Sequence, residues 1–407
     1  MLPTEDWGIY VHIPFCEARC TYCDFNTVTG MGQAEHLRYT KALLGEWQSE
    51  TVPEGSLASV YFGGGTPSIL DPVLIGHVLE ALWERLSEPV TAPEVTMEVN
   101  PGTVTAQKLA SWQDFGVNRL SIGAQAMQNH HLRALNRIHD VSMIRQTVCM
   151  AREAGFTNIN LDAIYGLPGQ TLQEWQETVD GLLHLGPDHL SLYALIVEAG
   201  TPLHRAVERG QAELPDPDLV AEMADWAETR LTAMELQPYE ISNYARAGYA
   251  SRHNQLYWRL APYVALGAGA HAYRPGRRWW NVRGVRRYMD LVEAGVDPLD
   301  GYEDLTVDEE MREWLWLGLR LREGVDLRRF FQRFRISASQ VFGGVLQELE
   351  AKHLLCEDGH ALRLTPRGRD LANVVARALV DAPPDMLVQD SRAGDVELKD
   401  QSCTGTD

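Results

Sequence analysis

The chain has 407 residues, of which 45% are hydrophobic and 23% are charged. These proportions are typical of a folded protein with more than one core, and no apolar run approaches the roughly 20 residues of a membrane helix. We therefore do not expect an integral membrane protein. The 36 Lys and Arg residues against 56 Asp and Glu residues give a net charge of −20, which disfavours nucleic acid as a partner. Residues 1–7 lack the basic and apolar regions of a signal peptide, so we expect a reducing, cytoplasmic location.

Predicted strands and helices alternate in the first half of the chain. The strands are predicted at residues 8–13, 59–62, 94–99, 119–122, 158–164 and 189–195. Amphipathic helices are predicted between them at 34–49, 72–85, 106–115, 142–154 and 172–185, with Asp71, Thr105 and Thr171 as N-caps. This alternation predicts an α/β fold, a partial (β/α)6 TIM-like barrel, with functional residues at the C-terminal ends of the strands.

Three of the six cysteines lie within eight positions, directly after the first predicted strand. Cys16, Cys20 and Cys23 can point three thiolates at one centre, which is typical of iron–sulfur or zinc sites. No obvious fourth ligand follows, so the spacing favours a [4Fe–4S] cluster with one open iron. The alternative is zinc with His12 or Asp24 as a further ligand. The other three cysteines are not expected to be ligands: Cys149 and Cys356 are interpreted as core thiols, and Cys403 lies in a polar tail.

Polar and glycine residues follow the next strands at the positions where a barrel carries its site. Residues 63–67 read Gly-Gly-Gly-Thr-Pro, and glycines at a strand end let a ligand approach the backbone closely. A tight structural turn is the alternative reading. The later polar residues in this series are Glu98, Gln125, Arg137 and Asp162. We expect these side chains to share one pocket.

The pattern changes after a Gly- and Asp-rich break near residues 295–304. Helices are predicted at 307–322, 327–334, 338–352 and 367–379, with a hairpin at 354–365 that turns at Asp358-Gly359. We therefore assign residues 1–295 to the barrel and 305–380 to a helical, winged-helix-like domain. Residues 381–407 are acidic and poor in aromatic residues, and they are predicted to form a disordered tail.

The motifs together resemble radical S-adenosylmethionine (SAM) proteins of the coproporphyrinogen-dehydrogenase-like group. The resemblance rests on the cysteine triad after residues 10–15, on 63–67, 98–101 and 121–125, and on 162–171. It implies a barrel of the radical SAM type in which the three cysteines hold a [4Fe–4S] cluster and SAM chelates the fourth iron. The SAM contacts that it implies are Tyr10, Gly64, Gly65, Thr66, Glu98, Gln125, Arg137 and Asp162.

Two departures separate the chain from the dehydrogenases of this group. Phe25 stands where those enzymes have a fourth cysteine, and only fifteen residues precede Cys16. The chain is instead similar to the haem-chaperone members, which share an HNxxYW motif found here as His253, Asn254, Tyr257 and Trp258. That similarity implies haem binding and transfer to acceptor haem proteins such as respiratory-chain components. It also implies a possible homodimer and transient membrane association.

The residues of the motif also allow a purely structural interpretation. In a helix, His253 and Tyr257 share one face, so the imidazole is either a haem-iron ligand or a packed core histidine. A second feature suits a flat anionic ligand such as haem: Trp279, Trp280 and Tyr288 are interleaved with arginines. Those arginines, at 274, 277, 278, 283, 286 and 287, suit propionates, but they equally suit nucleic-acid phosphates or acidic surface partners. His271 is an alternative iron ligand. Residues 267–271 are interpreted as a turn.

Three functions remain open at this point. The first is a haem chaperone, for which enzymatic activity stays undecided. The second is oxygen-independent coproporphyrinogen III dehydrogenase, which would decarboxylate its substrate oxidatively. The third is a methyltransferase-like activity of SAM on a small molecule.

Overall fold

A computed structural model describes residues 6–86 and 92–383. Most of the predicted acidic tail, with Cys403, lies outside the described residues. The strands are β1 (Trp7–Ile13), β2 (Phe15–Cys16), β3 (Val28–Thr29), β4 (Leu57–Gly64), β5 (Glu94–Val99), β6 (Arg119–Gln125), β7 (Ile159–Tyr165), β8 (His189–Ala194), β9 (Gln237–Pro238), β10 (Asn243–Ala245), β11 (Tyr263–Leu266), β12 (His271–Arg274), β13 (Arg277–Asn281), β14 (Leu299–Asp304), β15 (Val325–Asp326), β16 (Leu355–Asp358) and β17 (Ala361–Leu364).

The helices lie between these strands. They are α1 (Gln33–Ser49), α2 (Pro72–Arg85), α3 (Ala106–Asp114), α4 (Asn129–Ala134), α5 (Val141–Glu153), α6 (Leu172–Leu183), α7 (Pro202–Glu208), α8 (Pro217–Thr232), α9 (Arg252–Trp258), α10 (Val285–Glu293), α11 (Val307–Gly318), α12 (Leu327–Phe334), α13 (Ala338–Ala351), α14 (Pro366–Asp370) and α15 (Ala372–Asp381).

The predicted βα alternation is confirmed as one large sheet. The order of its twelve strands is β14-β13-β12-β11-β1-β4-β5-β6-β7-β8-β10-β9. The six predicted strands are parallel neighbours at its centre, and β11 adds a further parallel strand beside β1. The N-caps predicted from sequence each accept a backbone N–H: Asp71 caps α2, Thr105 caps α3 and Thr171 caps α6.

Side chains along the central strands point alternately to the apolar layer under the helices and to the inner face of the curved sheet. In β1, Ile9, Val11 and Ile13 are fully buried in the apolar layer that the sheet shares with its helices. Tyr10 and His12 alternate with them and face the inside of the curved sheet, where Tyr10 lies near Tyr61 and His253. The inner face is therefore polar and aromatic, and it is available for a site.

The C-terminal region contains a hydrophobic cluster of its own. Helices α11, α12, α13 and α15 pack with the three-stranded sheet β15-β17-β16 around buried residues such as Leu315, Phe330 and Phe342. The helix predicted at 367–379 is two helices, because the backbone leaves the helical region at Leu371 (φ −108°, ψ 26°). The predicted break near 295–304 contains β14, which pairs with β13 at the edge of the large sheet.

None of the helices among the described residues is long and apolar enough to cross a membrane.

We expect substitution of Gly368 by alanine to destabilise the C-terminal region. An added Cβ would lie 1.9 Å from the carbonyl oxygen of Leu354, which is backbone and cannot rotate away. The cost should be about 2 kcal/mol in the free energy of unfolding, measured by urea denaturation. Gly284→Ala is the control, because its added Cβ would lie 3.6 Å from the nearest side-chain atom. Equal stability of the two variants would contradict the packing described here.

Candidate functional site

The cysteine loop is held against the end of β4 by backbone hydrogen bonds. Gly65 N–H donates to the carbonyl of Ile13, and Thr66 N–H donates to that of Phe15, both at 2.8 Å. A Cβ on Gly65 would lie 2.8 Å from those same carbonyl oxygens, and Gly64 has φ +107°, a conformation that favours glycine. Close backbone approach thus explains Gly65 and the positive φ explains Gly64, so the turn has a structural reason for two of its glycines whether or not a ligand also contacts it.

The three clustered cysteines line a cavity of about 520 Å³ at the C-terminal ends of the strands. Among the described residues, their sulfurs do not all lie within 4.8 Å of one another, as three ligands of a single ion would. Asp24 is exposed, and both ring nitrogens of His12 are occupied, by the hydroxyl of Tyr10 and the carbonyl of Asn26. The donor set therefore fits separate irons of a cluster better than one zinc ion.

Two polar side chains hold the sulfurs in place. Thr66 Oγ1 donates a hydrogen bond to the sulfur of Cys16 and Arg137 Nη1 donates one to that of Cys20, each at 3.4 Å. Burial raises the pKa values of Cys16 and Cys23. Metal binding at these thiols must therefore displace protons, and the cation of Arg137 helps to balance the resulting negative charge.

The same cavity collects almost all of the residues that the sequence assigns to SAM. Gly64, Gly65, Thr66, Glu98, Gln125, Arg137 and Asp162 all line it. Tyr10 is not among the lining residues; it lies deeper in the barrel, with its hydroxyl 3.0 Å from Nδ1 of His12. Its contact with SAM stays a prediction.

Two carboxylates of the cavity wall are held by the inner faces of the strands. Glu98 accepts hydrogen bonds from the Tyr61 hydroxyl at 2.9 Å and from Gly64 N–H at 3.1 Å. Burial raises the pKa of Glu98 to about 7, and burial also raises the pKa of Asp162. Asp162 accepts from Ser121 Oγ at 3.1 Å and from Asn160 Nδ2 at 2.8 Å. Such fixed oxygens suit the ammonium and hydroxyl groups of a ligand.

Sequence reasoning missed Arg119, the cation beneath these carboxylates. Arg119 is only 2% exposed, it pairs with Thr96 in the β5–β6 register, and its Nε has no hydrogen-bond partner among the described residues. Its charge acts to lower the pKa values of both Glu98 and Asp162 against the effect of burial. The signal was available, because Arg119 precedes Ser121 by two positions and so shares its inward face.

The HNxxYW motif forms α9 at the opposite end of the barrel. Glu94, at the start of β5, accepts hydrogen bonds from Arg252 N–H at 3.1 Å and from His253 N–H at 3.3 Å, and so satisfies two free donors of the first turn. Ser251 caps the same turn. The predicted helical face is confirmed, since His253 Nε2 lies 2.8 Å from the Tyr257 hydroxyl.

His253 is 1% exposed and has both ring nitrogens occupied. Nδ1 lies 2.8 Å from Ser59 Oγ, Nε2 contacts Tyr257, and the ring stacks on Tyr61 at 4.9 Å. Burial lowers the pKa of His253 to about 3, so the imidazole is neutral. In this arrangement the histidine packs the barrel floor, and iron ligation would require Nε2 to leave Tyr257. Asn254 is half-buried, with its N–H bonded to Ser251.

Trp258 faces a second cavity, of about 340 Å³, between the floor of the barrel and the C-terminal region. Its indole Nε1 is buried without a hydrogen-bond partner among the described residues, and the guanidinium of Arg320 lies 4.4 Å from its ring. The cavity wall also includes Trp314 and four arginines: Arg252, Arg259, Arg329 and Arg333. Aromatic faces and cations thus meet here.

The arginine- and tryptophan-rich segment is only partly free to bind an anion. Arg277 pairs with Asp304 at 2.5 Å, and Arg278 pairs with Glu313. Tyr288 is fully buried and donates to Glu46 at 2.5 Å, so it is no surface aromatic. Arg274 lies over Trp279, with its guanidinium carbon 5.5 Å from the ring centre. Arg283, Arg286 and Arg287 are exposed.

Three other residues complete the account of the sequence predictions. His271, the last residue of the turn predicted at 267–271, is the first residue of β12; it is exposed and stacks on Trp280 at 5.6 Å. The interpretation of Cys149 and Cys356 as core thiols is wrong, because both are exposed. Cys149 lies on the outer face of α5, and Cys356 lies on a strand of a hairpin that packs only one face.

Models of two known protein families match the N-terminal and the C-terminal parts of the chain. The Radical SAM superfamily model matches residues 10–182, and the HemN C-terminal domain model matches residues 305–371. "Heme chaperone HemW" of Bacillus subtilis is 36% identical over 373 residues, which cover 91% of this chain and 98% of that protein. The chain belongs to the HemW family. The HemW of Mycobacterium tuberculosis H37Rv is likewise 36% identical, over 93% of this chain and 96% of its own.

Relatives of HemW outside bacteria and one solved structure extend the comparison. The mouse protein "Radical S-adenosyl methionine domain-containing protein 1, mitochondrial" is 36% identical over 89% of this chain and 84% of its own. The structure of coproporphyrinogen III oxidase (HemN) from Escherichia coli, described as a radical SAM enzyme, superposes with a TM-score of 0.79 at 25% identity. The superposition covers 93% of this chain and 90% of the HemN chain. The predicted radical SAM fold is thereby confirmed.

Arg119 gives a testable pH dependence to SAM binding. Since the Glu98 carboxylate is expected to hold the SAM ammonium group, protonation of Glu98 below pH 7 should weaken binding by up to about tenfold per pH unit. Arg119→Met removes a nearby cation and should move the midpoint to higher pH. The measurement is the Kd of SAM for cluster-loaded protein between pH 5.5 and 7.5.

Two variants serve as controls for that titration. Arg119→Lys keeps the charge and should keep the midpoint near that of the wild type. Glu98→Gln should bind SAM weakly and without a step near pH 7. A wild-type midpoint in Arg119→Met would show that Arg119 does not act on Glu98.

Proposed function

We propose that this protein is a haem chaperone that carries a [4Fe–4S] cluster and SAM and transfers haem to acceptor haem proteins. The observation that carries the proposal is membership of the HemW family over almost the whole chain. Respiratory-chain components are the proposed acceptors. The proposed setting is the cytoplasm, with transient membrane association during delivery and a homodimer of the cluster-loaded form.

The upper cavity is the proposed cofactor chamber. Cys16, Cys20 and Cys23 would hold the cluster, and the resident cofactors would supply one-electron reduction of a sulfonium. Glu98 and Gly64 offer an acceptor and a close backbone edge for the SAM amino group, and Arg137 offers a cation near its carboxylate. Asp162 is the proposed acceptor for ribose hydroxyls, and hydrogen bonds from Ser121 and Asn160 to its oxygens support this role. Thr66, Gly65 and Gln125 complete the wall, and Tyr10 supports it from below.

The lower cavity is the proposed haem site. Trp258 of the HNxxYW helix and Trp314 supply aromatic faces for a porphyrin, and Arg252, Arg259 and Arg329 supply cations for its propionates. His253 and Tyr257, through their mutual hydrogen bond and the contact with Ser59, hold α9 against the barrel floor. Asn254 belongs to the same turn. Axial ligation of iron by His253 is a further prediction that a spectrum can test.

A haem titration followed by visible absorption tests this placement. Trp258→Ala should weaken haem binding about tenfold, because it removes a stacked aromatic face. His253→Ala should weaken binding and shift the main absorption band if the imidazole ligates iron. His271→Ala is the matched control on the other candidate surface and should bind as the wild type does.

Each alternative result of the titration is informative. Failure of the wild type to take up haem would contradict the function itself. Loss of binding in His271→Ala alone would move the site to β12 and β13. Unchanged binding and transfer by both Trp258→Ala and His253→Ala would overturn the role of α9.

Oxygen-independent coproporphyrinogen III dehydrogenase is the second candidate, favoured by the superposition on the E. coli HemN structure. An anaerobic assay with cluster-loaded protein, SAM, reductant and coproporphyrinogen III separates the two functions. We expect no protoporphyrinogen, because Phe25 occupies the place of the fourth cysteine of the dehydrogenases. HemN is the positive control, and product formation at a comparable rate would refute the chaperone assignment.

A further inference from the structure

A second cluster of metal-ligating side chains lies outside both cavities, where α4 meets the first turn of α6. His130 and His131 on α4 converge on the carboxylate of Glu174 on α6. Their candidate ligand atoms all lie within 4.8 Å of one another, and no other group of three His, Cys, Asp or Glu residues in 6–86 and 92–383 meets that condition. Neither the proposed cofactor chamber nor the proposed haem site uses these three residues.

The spacing of the atoms matches the edges of a coordination polyhedron. His130 Nε2 lies 3.1 Å from Glu174 Oε1, and His131 Nε2 lies 3.6 Å from Glu174 Oε2. Ligands about 2.0 Å from a tetrahedral metal are roughly 3.3 Å apart, so both separations agree with a shared ion. The two imidazole rings are 4.1 Å apart between their centres and tilted by 43°.

His131 supplies an independent indication of a missing partner. Its side chain is 5% exposed, and its Nε2 is buried without a hydrogen-bond partner among the described residues. A buried polar nitrogen without a hydrogen-bond partner is unfavourable, and a bound cation would remove that cost.

The protein frame fixes the carboxylate in position. Glu174 Oε2 accepts from Thr171 N–H at 2.9 Å and from Thr171 Oγ1 at 3.0 Å as the acidic member of a capping box. Gln128 ties α4 to α6 from the other side, by donating to the Glu174 carbonyl at 2.8 Å. Glu174 therefore faces α4 as a preorganised anion.

We propose that His130, His131 and Glu174 form a binding site for one divalent transition-metal cation, with zinc as the cation that suits two imidazoles and one carboxylate. His130 is 56% exposed, so water would complete the coordination. The site differs from the cysteine site in donor type, since it has nitrogen and oxygen ligands only.

The position of the site gives the bound ion a consequence. The C-terminal end of α4 holds the cysteine loop: Thr21 N–H donates to the Leu135 carbonyl at 3.1 Å, and Asn136 Nδ2 donates to the Arg19 carbonyl at 2.9 Å. Arg137, which contacts Cys20, follows directly. An ion that clamps α4 to α6 would therefore stiffen one support of the cluster loop.

Zinc titration of the cluster-loaded full chain, under anaerobic conditions, tests the proposal. We expect one zinc per chain by competition with a chromophoric chelator, and at least about tenfold weaker binding in His130→Gln and in His131→Gln. Glu174→Gln is the sharpest variant, because glutamine keeps the capping box while it removes the anionic ligand. His77→Gln, an exposed histidine on α2, is the matched control and should bind zinc as the wild type does.

Zinc-edge X-ray absorption distinguishes this site from the cysteines. The expected spectrum has imidazole and oxygen scatterers and no sulfur, and bound zinc should raise the unfolding temperature of the wild type but not of His130→Gln. Absence of zinc binding, equal binding by all variants, or sulfur scatterers would overturn the proposal. Because His130 is exposed, its variant should fold even if His131→Gln does not.

Discussion

The balance of charge inside the barrel is the constraint on which the cofactor chamber depends. Glu98 and Asp162 face the interior from adjacent parts of the sheet, and burial makes both of them harder to ionise. Arg119, almost fully buried beneath them, opposes that effect with a fixed positive charge. The hydrogen bonds from Tyr61 and Ser121 act in the same direction. A ligand with an ammonium group thus meets two carboxyl groups whose oxygens are fixed by hydrogen bonds and whose ionised form is favoured by the charge of Arg119.

The same layer of side chains joins the chamber to the opposite end of the barrel. Tyr61 donates to Glu98 with its hydroxyl and stacks on His253 with its ring. His253 in turn contacts Tyr257, and Tyr257 lies edge-on to Tyr263 at 4.8 Å. The HNxxYW helix is therefore part of the barrel floor as well as the wall of the lower cavity. A change at one cavity would reach the other through packed aromatic rings rather than through a shared ligand.

Local patterns predicted most of the fold, whereas pairing between distant residues was beyond them. The central strands were predicted from period-two alternation, and the starts of three helices from the N-caps Asp71, Thr105 and Thr171. Both signals depend only on residues that are close in sequence. Cys149 was misplaced because an apolar helix has an exposed face as well as a buried one. Tyr288 was placed with surface aromatics because its partner, Glu46, lies 242 positions away.

The candidate site was likewise predictable where it depends on local sequence patterns and not where it depends on pairing between distant residues. Strand-end residues such as Gly64, Glu98 and Asp162 fall in one cavity because parallel strands end at one edge of the sheet. The engaged ring nitrogens of His253 were not predictable, since His253 is on α9 and its partner Ser59 is on β4, 194 positions away. The same holds for the contact between Glu174 and the histidine pair of α4, which depends on how two helices pack.

The separation of the two cavities bears directly on the choice between a chaperone and a dehydrogenase. Radical chemistry on a tetrapyrrole requires the substrate to touch the cofactor chamber, because a carbon radical reacts only with an atom in contact with it. The cavity of Trp258 lies below the layer formed by Tyr61 and His253, so a haem bound there does not contact that chamber. Haem storage and release at the lower cavity need no such contact. With haem in the lower cavity, the cofactors would act on the chaperone's conformation or assembly rather than on the haem itself.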